Sequence, residues 1–185
     1  MSSFSVVLDA CVLIPGSLRS TLLRASSSRL YRAHWSEDIL LEVHRNLAPL
    51  TTEARAQQTV AWLRERFEES IVDGYVPLIP SIPLEHDQHV VAAAVVARAQ
   101  VIVTSNLKHF PNNRLAQFEI EAQSPDQFLC DLIDLHSDAM IDIIRQQASA
   151  LKNPPMSPRE VLDNLAVHAP AFAAIARNAF CVSEH

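Results

Sequence analysis

Two glycines among 185 residues, Gly16 and Gly74, leave no material for a phosphate-cradling glycine loop or a Gly-x-Gly-x-x-Gly dinucleotide turn. The common nucleotide-binding α/β classes are excluded on that ground. The three cysteines, Cys11, Cys130 and Cys181, lie far apart and lack Cys-x-x-Cys spacing, so neither a zinc site nor a disulfide framework is expected. They read as reduced thiols, with Cys11 packed in the apolar stretch Ala10–Ile14. No apolar stretch approaches the roughly 20 residues of a membrane span, and the opening Met-Ser-Ser-Phe-Ser has no basic or apolar leader. The expectation is a soluble, cytoplasmic protein without membrane association.

With 49% hydrophobic residues, the chain is long and apolar enough for one cored domain and a small appendage. The run Phe4-Ser-Val-Val-Leu-Asp9 reads as a buried strand that delivers Asp9 at its C-terminal end. Val101-Ile-Val-Thr-Ser-Asn106 repeats the design and delivers Asn106. In open parallel sheets the carboxyl ends of strands border the ligand crevice, so both oxygen-bearing side chains are expected at one edge.

The net charge of −6 opposes nucleic-acid binding when taken as a whole, yet it is unevenly spread. Residues 10–36 hold four arginines and no acid, and residues 88–118 hold Arg98, Lys108 and Arg114 and no acid. Residues 37–87 carry ten acids against four bases. Basic blocks thus follow Asp9 and Asp87, as a phosphodiester substrate calls for, although solvated helix faces give the same composition.

Pro15-Gly16-Ser17 makes a turn from which Ser17 caps a helix to about Ser27, with Leu18, Leu22 and Leu23 inward. Ser36 caps a second helix, favoured by Glu37 and Asp38 in its first turn, with Ile39, Leu40 and Val43 inward and Glu42 at the border of the apolar face. Thr51 or Thr52 starts a third, whose core stripe is Val60, Leu63 and Phe67, joined by Trp62. A short strand interrupted by Asp73-Gly74 is expected between Ile71 and Leu78, then a proline-rich linker. Asp87 opens, as N-cap, the helix Gln88–Arg98, so small and apolar that it is buried. The tight Ala99-Gln100 connection to the next strand fits a parallel crossover.

The stretches Val7-Leu-Asp9-Ala-Cys-Val-Leu-Ile-Pro15, Ser36 to Val43, Asp87-Gln-His-Val-Val-Ala-Ala-Ala94 and Ile102-Val-Thr-Ser-Asn-Leu-Lys-His-Phe-Pro111 together resemble a PIN-domain nuclease. The likeness covers about residues 4–128 and is strongest to the branch containing VapC-type toxins of toxin–antitoxin pairs. It implies an α/β fold, a central parallel sheet flanked by helices, and an acidic pocket binding Mg²⁺ or Mn²⁺. It further implies that Asp9, Glu42 and Asp87 are the metal-binding and catalytic acids, with Thr104 and Asn106 beside them. Asn106 stands where many such domains have a fourth aspartate, and His109 where the nearest branch more often has aspartate. The implied reaction is metal-dependent hydrolysis of RNA, leaving a 3′-hydroxyl and a 5′-phosphate.

Beyond the likeness, Ser124-Pro-Asp-Gln127 is a capping box that opens a long helix through about Leu151, and Ser157-Pro-Arg-Glu160 opens another. The division expected is a nuclease domain over 1–127 and a helical C-terminal extension over 128–185. The partners expected are an RNA substrate, a cognate antitoxin protein and a second protomer in a homodimer. Three other readings compete: a housekeeping RNA-processing nuclease, an inactive PIN-like domain that binds RNA or protein, and a phosphatase with Asp9 as nucleophile. The last lacks its Asp-x-Asp motif because position 11 is cysteine.

Overall fold

The computed structural model describes residues 4–183, with side chains through Phe180, so the Cys181 thiol lies outside the described part. The elements run β1 (Ser5–Leu8), α1 (Ala10–Leu13), α2 (Gly16–Ser27), β2 (Arg32–His34), α3 (Glu37–Leu47), α4 (Glu53–Arg66) and α5 (Gln88–Val96). Then follow β3 (Val101–Val103), α6 (Asn112–Leu115), β4 (Glu121–Gln123), α7 (Pro125–Leu135), α8 (Ser137–Ala150), α9 (Pro158–Leu165) and α10 (Pro170–Ser183). They form two compact units: the chain up to Ile14 with Tyr31–Gln123, and Pro15–Leu30 with the chain from Ser124 onward. Helix α2 therefore packs with the C-terminal helices α8 and α9.

The first unit is built on a four-stranded sheet in the order β2-β1-β3-β4, with every pair parallel. Central position explains the composition of β1: Ser5–Leu8 are all buried, as a strand hydrogen-bonded on both sides and covered on both faces requires. Helix α5 is as apolar as its sequence demands, with Val90–Ala94 fully buried, and it packs on β1 and β3. Ser36 caps α3 by accepting the Ile39 N–H, and Thr52 caps α4 by accepting the Arg55 N–H.

Several local expectations fail for identifiable reasons. No strand forms between Ile71 and Leu78; Ile71 makes one isolated bridge to Trp35, and Val76–Ser81 is a 3₁₀ turn, since Pro77 and Pro80 cannot donate to a ladder. Trp62 lies at the rim of the core stripe of α4, 48% exposed, with its ring edge-on to Phe67 at 5.6 Å. Helix α2 begins at Gly16 after Pro15, without a side-chain cap from Ser17. The ladder of β3 ends at Val103, so Asn106 stands on a loop three residues further on.

The second unit is helical. The single long helix expected after Ser124 is two, broken at His136, whose non-helical backbone (φ −141°, ψ 53°) separates α7 from α8. The apolar stripe of α7 ends at Ile133 and restarts at Met140, and the break lets the two helices pack on each other. Ser157 and Glu160 form the reciprocal capping box of α9, whereas Ser124 supplies only its own half of one, accepting the Gln127 N–H. No helix among the described residues is long and apolar enough to cross a membrane.

Candidate functional site

Asp9 leaves the C-terminal end of β1 and is 4% exposed, a burial that a carboxylate tolerates only when its oxygens are bonded. They are. Oδ1 accepts the Ala10 N–H at 2.7 Å, capping α1, while Oδ2 accepts the Thr104 hydroxyl at 2.7 Å and the Cys11 thiol at 3.1 Å. Thr104, fully buried just after β3, thus ties the ends of the two central strands together through their side chains. Its hydroxyl also accepts the Asn106 N–H at 3.0 Å, which fixes the loop carrying Asn106.

Cys11 does more than fill space. Besides donating to Asp9, its sulfur accepts the Ser105 N–H at 3.2 Å. Burial, and then the negative charge of Asp9, push its thiol up to about 11, so it is protonated at neutral pH.

Glu42 projects from the exposed border of α3 towards Asp9 and Asp87. Burial pushes its carboxyl above the usual carboxylate range; the nearby His89 opposes the rise, and the charges of Asp9 and Asp87 add to it. His89 Nε2 lies 3.4 Å from Glu42 Oε1, near enough to attract a charge but outside hydrogen-bond geometry, which leaves this buried nitrogen without a bonded partner.

Asp87 stands at the N-cap position of α5 but makes no capping bond, because its backbone is left-handed, with φ of 54°. Its carboxylate turns instead to His109, whose Nδ1 is 2.7 Å from Oδ2. The ring of His86 lies 5.1 Å from that of His109, which places a second imidazole beside the pair.

Asp9, Glu42, Asp87 and Asn106 line one open cleft of about 410 Å³, so the fold gathers the two side chains expected at the sheet edge and the two carried by helices. Thr104 lies beneath it, bonded to Asp9. A second cleft of about 360 Å³ shares Glu42 and Asp87 and adds Asp38, Glu85, Arg45 and His89. None of the cations from the two basic sequence blocks lines either cleft; the arginine that does, Arg45, comes from the acidic block. Its spacing of three residues from Glu42 on a helix was the available signal.

No three His, Cys, Asp or Glu side chains among the described residues are gathered tightly enough to form a ready metal cage. The donor set nonetheless suits a hard divalent cation: three carboxylates and an amide, all oxygen, with two of the acids raising the third by repulsion that a cation relieves.

Comparison with known proteins gives two family matches, the PIN domain over residues 5–108 and the VapC50 C-terminal domain over residues 125–178. The chain is also 45% identical over 108 residues to a Mycobacterium tuberculosis protein named "Putative ribonuclease VapC50". That alignment spans 58% of this chain and 64% of the relative, slightly under two thirds of the relative's length. No solved structure matches the chain.

Proposed function

This chain belongs to the PIN-domain family, and on that premise we propose that it is a metal-dependent endoribonuclease, the toxin of a VapBC-type toxin–antitoxin pair. The observation that carries the reading is the convergence of Asp9, Glu42, Asp87 and Asn106 on one cleft at the carboxyl end of a parallel sheet. The ribonuclease name of the relative and the match of the C-terminal helices to its family support the toxin assignment.

In this reading Asp9, Glu42 and Asp87 hold Mg²⁺ or Mn²⁺, and the cation, when bound, supplies Lewis-acid stabilisation of the charge that builds on a scissile phosphate. The chain's own residues prepare that site. Thr104 and the Ala10 N–H hold the Asp9 carboxylate fixed in rotamer, so its oxygens do not swing away between turnovers. His109 holds Asp87 from the far side. Asn106, exposed at the lip of the cleft with its backbone pinned to Thr104, offers an uncharged amide to a phosphate oxygen, where an aspartate would repel it.

The test is cleavage of total bacterial RNA by the purified protein with Mg²⁺ or Mn²⁺, beside EDTA and Asp9→Asn controls. Discrete fragments with 5′-phosphate ends, absent from both controls, are expected. RNA retained on the protein without cleavage under either ion would transfer the assignment to an RNA-binding PIN-like domain. Growth arrest on expression, relieved by co-expressing a small DNA-binding protein if one is encoded beside the gene, separates the toxin from a housekeeping processing nuclease.

A further inference from the structure

One face of α3 runs along both clefts. Asp38, Leu41, Glu42, Arg45 and Asn46 recur at helical spacing and line the two cavities in turn, with Glu42 at the point they share. At a rise of about 1.5 Å per residue, Asp38 to Asn46 spans about 12 Å, a wall longer than one nucleotide.

Four acids surround the second cleft, Asp38, Glu42, Glu85 and Asp87, and Arg45 is the one arginine or lysine that lines either cavity. Such surroundings favour an ion pair to Arg45. Among the described residues the Arg45 guanidinium has neither an ion-pair nor a hydrogen-bond partner, and it reaches Glu42 only through its longer-range field. The same helix pairs Glu37 with Arg64 and Asp38 with the Tyr75 hydroxyl, so the exposed partners of its first turn are already engaged. Arg45 is left as a solvent-facing fork of donors one helical turn from Glu42, in a groove that otherwise repels phosphate. Leu41, 52% exposed one turn before it, and Leu50, 70% exposed at the far end of the first cleft, supply apolar ledges at either end of the groove.

We infer that an extended single strand of RNA lies along α3, with Arg45 holding the phosphate next to the scissile one and Leu41 and Leu50 supporting the bases on either side. A single strand is required because Asp9 lies at the floor of the cleft, 4% exposed, where a duplex cannot bring a backbone phosphate. The inference rests on the nuclease reading above and assigns the substrate's path across that site. Arg45 is a positioning residue for the substrate and takes no part in the chemical step.

The test compares wild type, Arg45→Ala and Arg45→Lys in two measurements. The first is steady-state cleavage of a fluorescent single-stranded RNA; the second is binding of the same RNA, across a salt series, to proteins that also carry Asp9→Asn. Arg45 is exposed on a helix and alanine is a better helix former, so the variants fold. Arg45→Ala is expected to raise KM and Kd about tenfold with kcat within about threefold, the loss of one charge-assisted phosphate contact. The slope of log Kd against log salt should fall by about 0.7, one phosphate contact on a single strand. Arg45→Lys should restore the slope but not all the affinity, since an ammonium cannot make the forked contact. An unchanged slope and KM in Arg45→Ala, or a loss confined to kcat, overturns the assignment while leaving the nuclease reading intact. A wild-type protein that neither cleaves nor retains RNA overturns both.

Discussion

His109 Nδ1 lies 2.7 Å from Asp87 Oδ2, across 22 residues of chain, and this contact replaces the helix cap that Asp87 would otherwise make. A left-handed N-cap turns the carboxylate away from the first turn of α5, and an imidazole N–H takes up the acceptor it releases. The arrangement resembles the outer-shell hydrogen bonds that orient metal-ligating carboxylates elsewhere.

Removing that donor should be felt in both activity and cation affinity. His109→Ala is expected to lower kcat/KM and weaken Mn²⁺ binding about 10-fold or more, the usual cost of losing an outer-shell partner. His109→Asn, whose side-chain amide donates from nearly the place of Nδ1, should recover much of both. Manganese titration beside cleavage assays checks this, and equal losses in the two variants would mean that the hydrogen bond is not what matters.

Glu42 should make the cation-free protein less stable than its amide variant at neutral pH. Its carboxyl is raised in the folded state by burial and then by Asp9 and Asp87, against the opposing His89, so ionisation costs more folded than unfolded. The penalty is therefore present at neutral pH and disappears as pH falls through the raised value towards the ordinary carboxylate range. Glu42→Gln should melt above wild type at pH 7 in EDTA, and the gap should close as pH falls into the ordinary carboxylate range. Mn²⁺ should raise the wild-type Tm more than that of the variant.

Cys11 should resist alkylation although it lines the open cleft. With its thiol pushed up to about 11 by burial and Asp9, the thiolate at pH 8 is about one part in a thousand, and the thiolate is the reactive form. Mass spectrometry of iodoacetamide-treated native protein should find Cys11 largely unmodified at pH 8. Asp9→Asn should speed its reaction by removing the adjacent negative charge.

In the helical unit, Gln147 is 3% exposed, accepts the Thr21 hydroxyl at 2.7 Å and donates to the Ser17 carbonyl at 3.1 Å. Gln147→Leu removes both of these bonds, while the Thr21 hydroxyl keeps the Ser17 carbonyl at 3.1 Å as a partner, so the variant should lose about 0.5–1.5 kcal/mol, read as a lower midpoint in urea.

Much of this was legible from sequence where burial writes itself into composition. The β1 run, the alanine and valine helix α5 and the Ser36 cap follow directly from apolar patterning and capping chemistry, and the order of Asp9, Glu42, Asp87 and Asn106 carried the family likeness. What stayed hidden depends on tertiary contact. Glu121-Ala-Gln123 is a three-residue polar strand at the sheet edge, with no hydrophobic alternation to reveal it. The Asp87–His109 pair joins residues whose local sequence offers each a simpler role, a cap and a surface imidazole. Arg45 sits in the most acidic stretch of the chain, where block charge conceals a single outward cation. The break at His136 divides a stretch whose composition favours helix on both sides.

The Asp9 backbone N–H donates to the Val103 carbonyl at 3.1 Å, so the first acid belongs to the hydrogen-bonded centre of the sheet, whereas Glu42 is carried by a helix and Asp87 follows a proline-rich loop. Amide exchange at Asp9 should therefore track global opening of its unit, while that of the 84–87 segment should report cheaper, local excursions. The three acids thus have unequal permanence. One is as durable as the sheet itself, one as durable as the helix that carries it, and Asp87 rides on the segment expected to open most cheaply.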